Sequence, residues 1–304
     1  MGRFHQHLDG TEHEHHGANH EDHHEDHHED QVGAGDHGDH GDMSGYQTGP
    51  ERVVVLERIF GENDRLAAAN RSTFDAAGVT AINMMSSPGA GKTAILRQTL
   101  ATLTDTTRVA IIEGDIETSL DAERLAGFGA QIALLNTASG FGGECHLDAP
   151  MVASALPRLD LARVDLLFIE NVGNLVCPAE FDVGAHHRVM VYSITEGEEK
   201  PLKYPVMFRS VELVLVNKLD LLPHLDFDLP LFLRNLASVN PAATVLQVSA
   251  RSTEGLDLWY NWLAEIGQRS ERAATISATP REDLPACDPR ADADALRAST
   301  RKRP

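Results

Sequence analysis

From residue 79 onward, short apolar runs recur at 79–85, 109–113, 132–135, 165–170, 189–194, 213–216 and 244–248. Between most of them lie stretches of helical length, such as 93–103, 120–126 and 151–159. A strand with one wet face alternates apolar and polar residues, and these runs do not. The pattern therefore predicts an α/β fold, with a mostly parallel central sheet flanked by helices and buried on both faces. Ahead of the first strand, Val53, Val54, Leu56, Ile59, Phe60, Leu66, Ala67 and Phe74 fall at helical spacing, which predicts an amphipathic helix interrupted near Gly61.

Both ends of the chain break the pattern. Residues 1–50 hold almost no apolar side chains and cannot bury enough surface to offset the entropy of ordering, so a disordered N-terminal tail is expected. Residues 271–304 are rich in Ala, Arg, Asp and Pro, and a disordered C-terminal tail is expected there. One domain over residues 51–270 remains between them.

Charge adds chemistry to the first tail. Residues 1–50 carry 12 of the 16 His, and 12 acidic residues against the single base Arg3 leave this segment at −11 of the chain's −20. So acidic a chain has no electrostatic footing for nucleic acid. Cations are its natural partners. His5, His7, His13, His15, His16, His20, His23, His24, His27, His28, His37 and His40 concentrate imidazole ligands for a metal such as Ni²⁺, though imidazole alone does not favour nickel over copper. Three Cys are no disulfide framework and point to a reducing compartment. With no membrane-length apolar run and no signal-peptide core, a cytoplasmic, soluble protein is expected.

The first apolar strand runs into Ser86-Ser87-Pro88-Gly89-Ala90-Gly91-Lys92-Thr93 and a helix. This matches the P-loop pattern G-x-x-x-x-G-K-S/T except for Ser86 at the first position. Small residues at Gly89, Ala90 and Gly91 let backbone N–H groups face a β-phosphate. Lys92 reaches the β- and γ-phosphates, and the Thr93 hydroxyl ligates Mg²⁺. The strand at 213–216 delivers Asn217-Lys218-Leu219-Asp220. An Asp220 carboxylate can accept from N1–H and the exocyclic amine of guanine, whereas adenine would leave it unpaired. Lys218 would cover the base, Asn217 would brace the loop, and Ser249-Ala250 fit a second base-contacting loop. GTP is therefore the expected nucleotide.

Two further strands deliver Glu113-Gly114-Asp115 and Glu170-Asn171-Val172-Gly173. Asp115 and Glu170 can hold Mg²⁺ or position the attacking water, and the Gly173 backbone can sense the γ-phosphate. Residue 174 is Asn, where Ras-like GTPases orient water with Gln, so slow intrinsic hydrolysis is expected. Cys145-His146 lies in a glycine-bearing loop, and Cys177 follows Gly173 by four residues. Thiolate and imidazole suit Ni²⁺ and Zn²⁺, but three such groups leave a tetrahedral site incomplete. Alternatively, both cysteines are small buried hydrophobes. Cys287 has no partner pattern, and His186, His187 and His224 read as surface histidines.

Taken together these motifs resemble one family, the HypB nickel-inserting GTPases of NiFe-hydrogenase maturation. The resemblance rests on residues 86–93, Glu113-Gly114-Asp115 with Thr118 and Asp121-Ala122, Cys145-His146-Leu147-Asp148, residues 170–178, Thr195-Glu196-Gly197, Lys200-Pro201, Lys203-Tyr204-Pro205, Asn217–Asp220 and Ser249-Ala250. It implies a P-loop NTPase of the SIMIBI class that forms nucleotide-dependent homodimers. It further implies a nickel or zinc site at Cys145, His146 and Cys177, and work beside a HypA-type chaperone, SlyD and the hydrogenase large-subunit precursor. The N-terminal Cys-x-x-Cys-Gly-Cys site of some members is missing, and the His-rich segment stands in its place.

Three other readings compete. The urease accessory GTPase UreG shares the fold but carries Cys-Pro-His where Cys145 and His146 are adjacent. A nickel or zinc store would make the tail the working part and the G domain its regulator. An ATP-dependent kinase would let ATP compete equally with GTP.

Overall fold

The computed structural model describes residues 50–115, 125, 127–137 and 145–278. The His-rich segment, Thr118, Asp121, Ala122, the stretch 142–144, Cys287 and most of the helix expected over 120–126 lie outside the described residues.

Seven strands form one parallel sheet: β1 (Thr80–Ser86), β2 (Val109–Asp115), β3 (Gln131–Asn136), β4 (Leu166–Glu170), β5 (His187–Ser193), β6 (Leu213–Asn217) and β7 (Thr244–Gln247), in the order β3-β2-β4-β1-β5-β6-β7. All seven expected strands are present. Successive residues point to opposite faces, and both faces are apolar. Ile82, Ile111 and Phe168 enter one core with Ile95, Leu96 and Leu100 of α2 (Lys92–Leu103) and Trp259 and Leu263 of α8 (Leu256–Ala278). Their neighbours Ala81, Ala110, Ile112, Leu167 and Ile169 enter a second core with Phe74 of α1 (Pro50–Ala77) and Val152 of α3 (Ala149–Ala155). This double burial is why the strands lack polar alternation.

Four further helices complete the described set: α4 (Cys177–Glu180), α5 (Lys200–Lys203), α6 (Pro205–Arg209) and α7 (Leu229–Val239). Met207 and Phe208 of α6 and Phe232 and Leu236 of α7 cover β5 and β6 in a third core. α8 runs on to Ala278, beyond residue 270, where the composition changes.

Two helical expectations need correction. α1 is continuous over 28 residues and is not interrupted at Gly61, where a Cβ would meet nothing within 4 Å. One exposed glycine costs only about 1 kcal/mol of propensity, and packing of the flanking turns outweighs it. The helix expected over 151–159 begins at Ala149, capped by the Asp148 carboxylate, and tightens at Leu156–Arg158 into a 3-10 turn. Pro157 has no N–H to continue the α ladder.

Candidate functional site

Every chemically distinctive segment leaves the carboxyl edge of the sheet, the usual ligand crevice of an open α/β fold. A cavity of about 370 Å³ there is lined by residues 88–94 together with Glu113, Gly114 and residues 170–173. Gly91 caps α2 in a left-handed conformation, and the helix N-terminus faces this space. Ser86, the departure from the general P-loop pattern, is fully buried, and its hydroxyl accepts from Lys92 Nζ at 2.7 Å. Ser87 Oγ donates to the Glu196 carboxylate, whose other oxygen accepts the Ser193 N–H at 3.1 Å. The cradle is thereby tied to β5.

The base loop is tied to the same cradle. Asn217 Nδ2 donates to the Ala90 carbonyl at 2.9 Å, and its Oδ1 accepts the Ala250 N–H at 3.0 Å. Lys218 Nζ donates to the Gly89 carbonyl at 2.6 Å. Ser249 Oγ donates to Asp220 Oδ1 at 2.6 Å, which fixes the rotamer of the carboxylate. Residues 120 or more positions apart thus form one unit, with the bracing expected of Asn217 made directly.

Thr93 Oγ1 donates to Glu170 Oε1 at 2.7 Å. Glu113 lies beside Glu170 in register across β2 and β4, and both are buried. A hydroxyl and two carboxylates at adjoining strand ends form an oxygen set suited to a hard cation such as Mg²⁺. Asp115 closes β2, but its side chain lies outside the described residues. Among the described residues Glu113 lines the cavity.

Cys145, His146 and Cys177 converge. Their ligand atoms all lie within 4.8 Å of one another, with the two sulfurs 2.9 Å apart and Cys145 Sγ 3.9 Å from His146 Nδ1. Sulfurs on one tetrahedral ion with bonds of about 2.3 Å would sit roughly 3.8 Å apart, so seating an ion needs only a small spreading. Burial, the hydrogen bond and charge of Cys145, and the charge of Glu180 together push the Cys177 thiol up to about 11. The His146 ring is 8% exposed and packs 4.2 Å from Phe181, which meets Phe60 of α1 at 5.2 Å. Helix α1 anchors both flanks of this cluster: Asn63 bonds the Asp182 carbonyl and the Ala149 N–H, each at 2.9 Å.

Comparison with known proteins follows this geometry. Residues 80–247 match the CobW/HypB/UreG nucleotide-binding domain. Hydrogenase maturation factor HypB of Azotobacter vinelandii is 50% identical over 213 residues, covering 70% of this chain and 69% of that protein. HypB of Escherichia coli K12 is 47% identical over 237 residues, 77% of this chain and 80% of that one. The chain belongs to the HypB family of hydrogenase maturation factors. Among solved structures, HypB from Helicobacter pylori in complex with nickel is similar with a TM-score of 0.64 and 33% identity, over 68% of this chain and 96% of that one. HypB from Archaeoglobus fulgidus gives 0.63 at 33% identity, over 68% and 99%. HypB proteins are P-loop GTPases, which agrees with the cradle and base loop described here.

Asn83 and Phe181 of this HypB site were not named from sequence, and Asn171 and Glu196 were named only within motifs, without a role. All four act through contacts that local spacing does not reveal. The surface reading of His186 is corrected. Its ring is half-buried, Nδ1 accepts the Ala81 N–H at 2.9 Å, and Nε2 lies 3.0 Å from Asp75. His187 pairs with Glu212 at 2.6 Å, and His224 ends an exposed 3-10 turn, Leu219–His224. Among the described residues no helix is long and apolar enough to cross a membrane.

Proposed function

We propose that this protein is a cytoplasmic GTP-hydrolysing nickel carrier that stores nickel and delivers it to the large-subunit precursor of a NiFe-hydrogenase. Residues 1–50 act as a metal-holding tail, residues 51–270 as the GTPase domain, and residues 271–304 as a second tail. The observation that carries the reading is the meeting of Cys145, His146 and Cys177 a few residues from the nucleotide cavity.

The backbone of Gly89, Ala90, Gly91, Lys92 and Thr93 cradles the triphosphate, Asn217, Lys218, Asp220, Ser249 and Ala250 select guanine, and Gly173 reads the γ-phosphate. Thr93 and Glu170 would hold Mg²⁺, with Glu113 or Asp115 alongside, and the ion would neutralise charge on the β- and γ-oxygens. Lys92 holds negative charge on the transferred phosphoryl group, and the buried carboxylates orient water. Hydrolysis is slow, below about 1 per second, as suits a switch.

Nickel, or zinc in its place, is cargo at Cys145, His146 and Cys177. Three ligands leave a position open for water or a homodimer partner, and an open position suits transfer. A HypA-type chaperone and SlyD are the expected helpers. The test is nickel acquisition by the hydrogenase precursor from nickel-loaded protein. GTP should promote transfer and GDP should not, while equal transfer with both would overturn the reading. A chain lacking residues 1–48 should still deliver at ample nickel; failure there would favour a store with a regulatory G domain.

A further inference from the structure

We infer that Asn171 is the positioning residue through which the nucleotide site and the thiol–imidazole site act on one another. The inference rests on the function proposed above and names the device that regulates it.

Asn171 is 1% exposed and sits between Glu170, which holds Thr93, and Val172-Gly173, which line the nucleotide cavity. Its own N–H donates to the Met84 carbonyl of β1 at 3.0 Å, so its backbone is fixed to the sheet. Its side chain reaches in the other direction. Oδ1 accepts the Leu147 N–H at 2.9 Å and the Val172 N–H at 3.0 Å, so one oxygen joins the peptide after His146 to the Asn171–Val172 peptide, one residue before Gly173. Leu147 is fully buried and pinned from its far side as well, because a Cβ at Gly114 would lie 2.7 Å from its Cγ. Leu147 therefore has little freedom except along the direction set by Asn171.

The amide has a second partner. Asn171 Nδ2 donates to Asn83 Oδ1 at 3.3 Å, a long bond, while Asn83 Nδ2 has no acceptor among the described residues. A shift of the Asn171–Val172 peptide, as Gly173 moves toward a γ-phosphate, pulls on Oδ1, and Leu147, with Cys145 and His146 just before it, follows. Reciprocity requires that metal at those ligands bias the cavity equally.

The test uses the full chain with Ni²⁺ as the probe, read by the thiolate-to-nickel absorption band so that tail imidazoles are silent. Half-saturation is measured with GDP and with a non-hydrolysable GTP analogue. Wild type should show at least an about fivefold difference between the two. Asn171→Ala should bring the ratio to one, and Asn171→Asp, which keeps acceptor oxygens, should recover part of it. A wild-type ratio retained in Asn171→Ala overturns the role of Asn171 and leaves the proposed function standing. A ratio of one in wild type overturns this inference and leaves the GTPase reading to its own transfer test. A measurement needing no variant is hydrogen exchange at the Leu147 amide in wild type: protection should differ between the two nucleotides, and equal protection overturns the inference.

Discussion

Gly173 abuts Pro88 of the P-loop so closely that a Cβ at residue 173 would lie 2.8 Å from the Pro88 Cα. The segment that ends in Cys177 therefore rests directly on the nucleotide cradle, four residues before the sulfur. Gly173→Ala should push the two apart. The expected outcome is a fall in GTP turnover on the order of 10- to 100-fold, since small misplacements cost that much, with the chain still folded by circular dichroism. Turnover within about twofold of wild type would show that this contact does not position the γ-phosphate.

In the proposed function guanine selection falls to Asp220, whose Oδ1 is held by Ser249 Oγ at 2.6 Å. Asp220→Asn replaces an acceptor with a donor facing the guanine amine. A buried mismatch of about 1–3 kcal/mol predicts roughly 10- to 100-fold weaker GTP binding. Binding of xanthosine triphosphate, which presents a carbonyl at that position, should improve. Displacement of a fluorescent nucleotide reads both. Unchanged GTP affinity would remove Asp220 from the base site, and ATP displacing GTP analogues at equal concentration would do so in wild type.

If nickel binds at Cys177 as proposed, the raised thiol sets the pH dependence of that binding. Nickel must displace the proton from this thiol, held up near 11, so below that value each drop in pH opposes binding. Titrations followed by the thiolate-to-nickel band should tighten steadily from pH 6.5 to 8.5, and Cys177→Ser should flatten the profile. A wild-type affinity independent of pH over this range would exclude Cys177 as a ligand. In the metal-free chain the same raised value favours the neutral thiol. Its contribution to stability is present below the ordinary thiol range and is lost as pH rises toward about 11.

His186 gives the opposite dependence far from the site. Burial chiefly, then the charges of Arg71 and His187, hold its pKa below the usual histidine range despite the opposing hydrogen bond and charge of Asp75. The folded state thus prefers a neutral ring whose Nδ1 accepts from Ala81. This contribution is present above about pH 6.5, the unfolded value, and is lost as pH falls. Thermal melting should drop between pH 7.5 and 5.5, and His186→Asn, which can still accept from Ala81, should drop less. Parallel curves for the two proteins would assign the acid sensitivity elsewhere.

The sheet was legible because its strands carry apolar residues toward both faces, as at Ala110, Ile111 and Ile112. The P-loop and base loop were legible because phosphate and guanine demand particular residues in consecutive order. Helix α1 was misread at Gly61, since propensity says nothing about the contacts of Asn63, Asn70 and Phe74 with the rest of the domain. From the residues alone Cys145, His146 and Cys177 could be ligands or, for the cysteines, buried hydrophobes, and only the resemblance joined them in one site. Their proximity depends on how the loops after β3 and β4 pack, and no spacing encodes it. Asn171 stood in a strand-end motif without a role of its own, and Asn83 carried no signal, because a buried amide is ordinary until its partners are known. His186 was missed for the same reason.

In the proposed function metal and nucleotide bias one equilibrium. Its most direct measurement is the affinity of the full chain for a fluorescent non-hydrolysable GTP analogue, with and without saturating Ni²⁺, in wild type and in Cys177→Ser. Nickel should change the wild-type affinity by at least about fivefold and leave Cys177→Ser unchanged. Identical affinities in wild type with and without nickel would contradict the account.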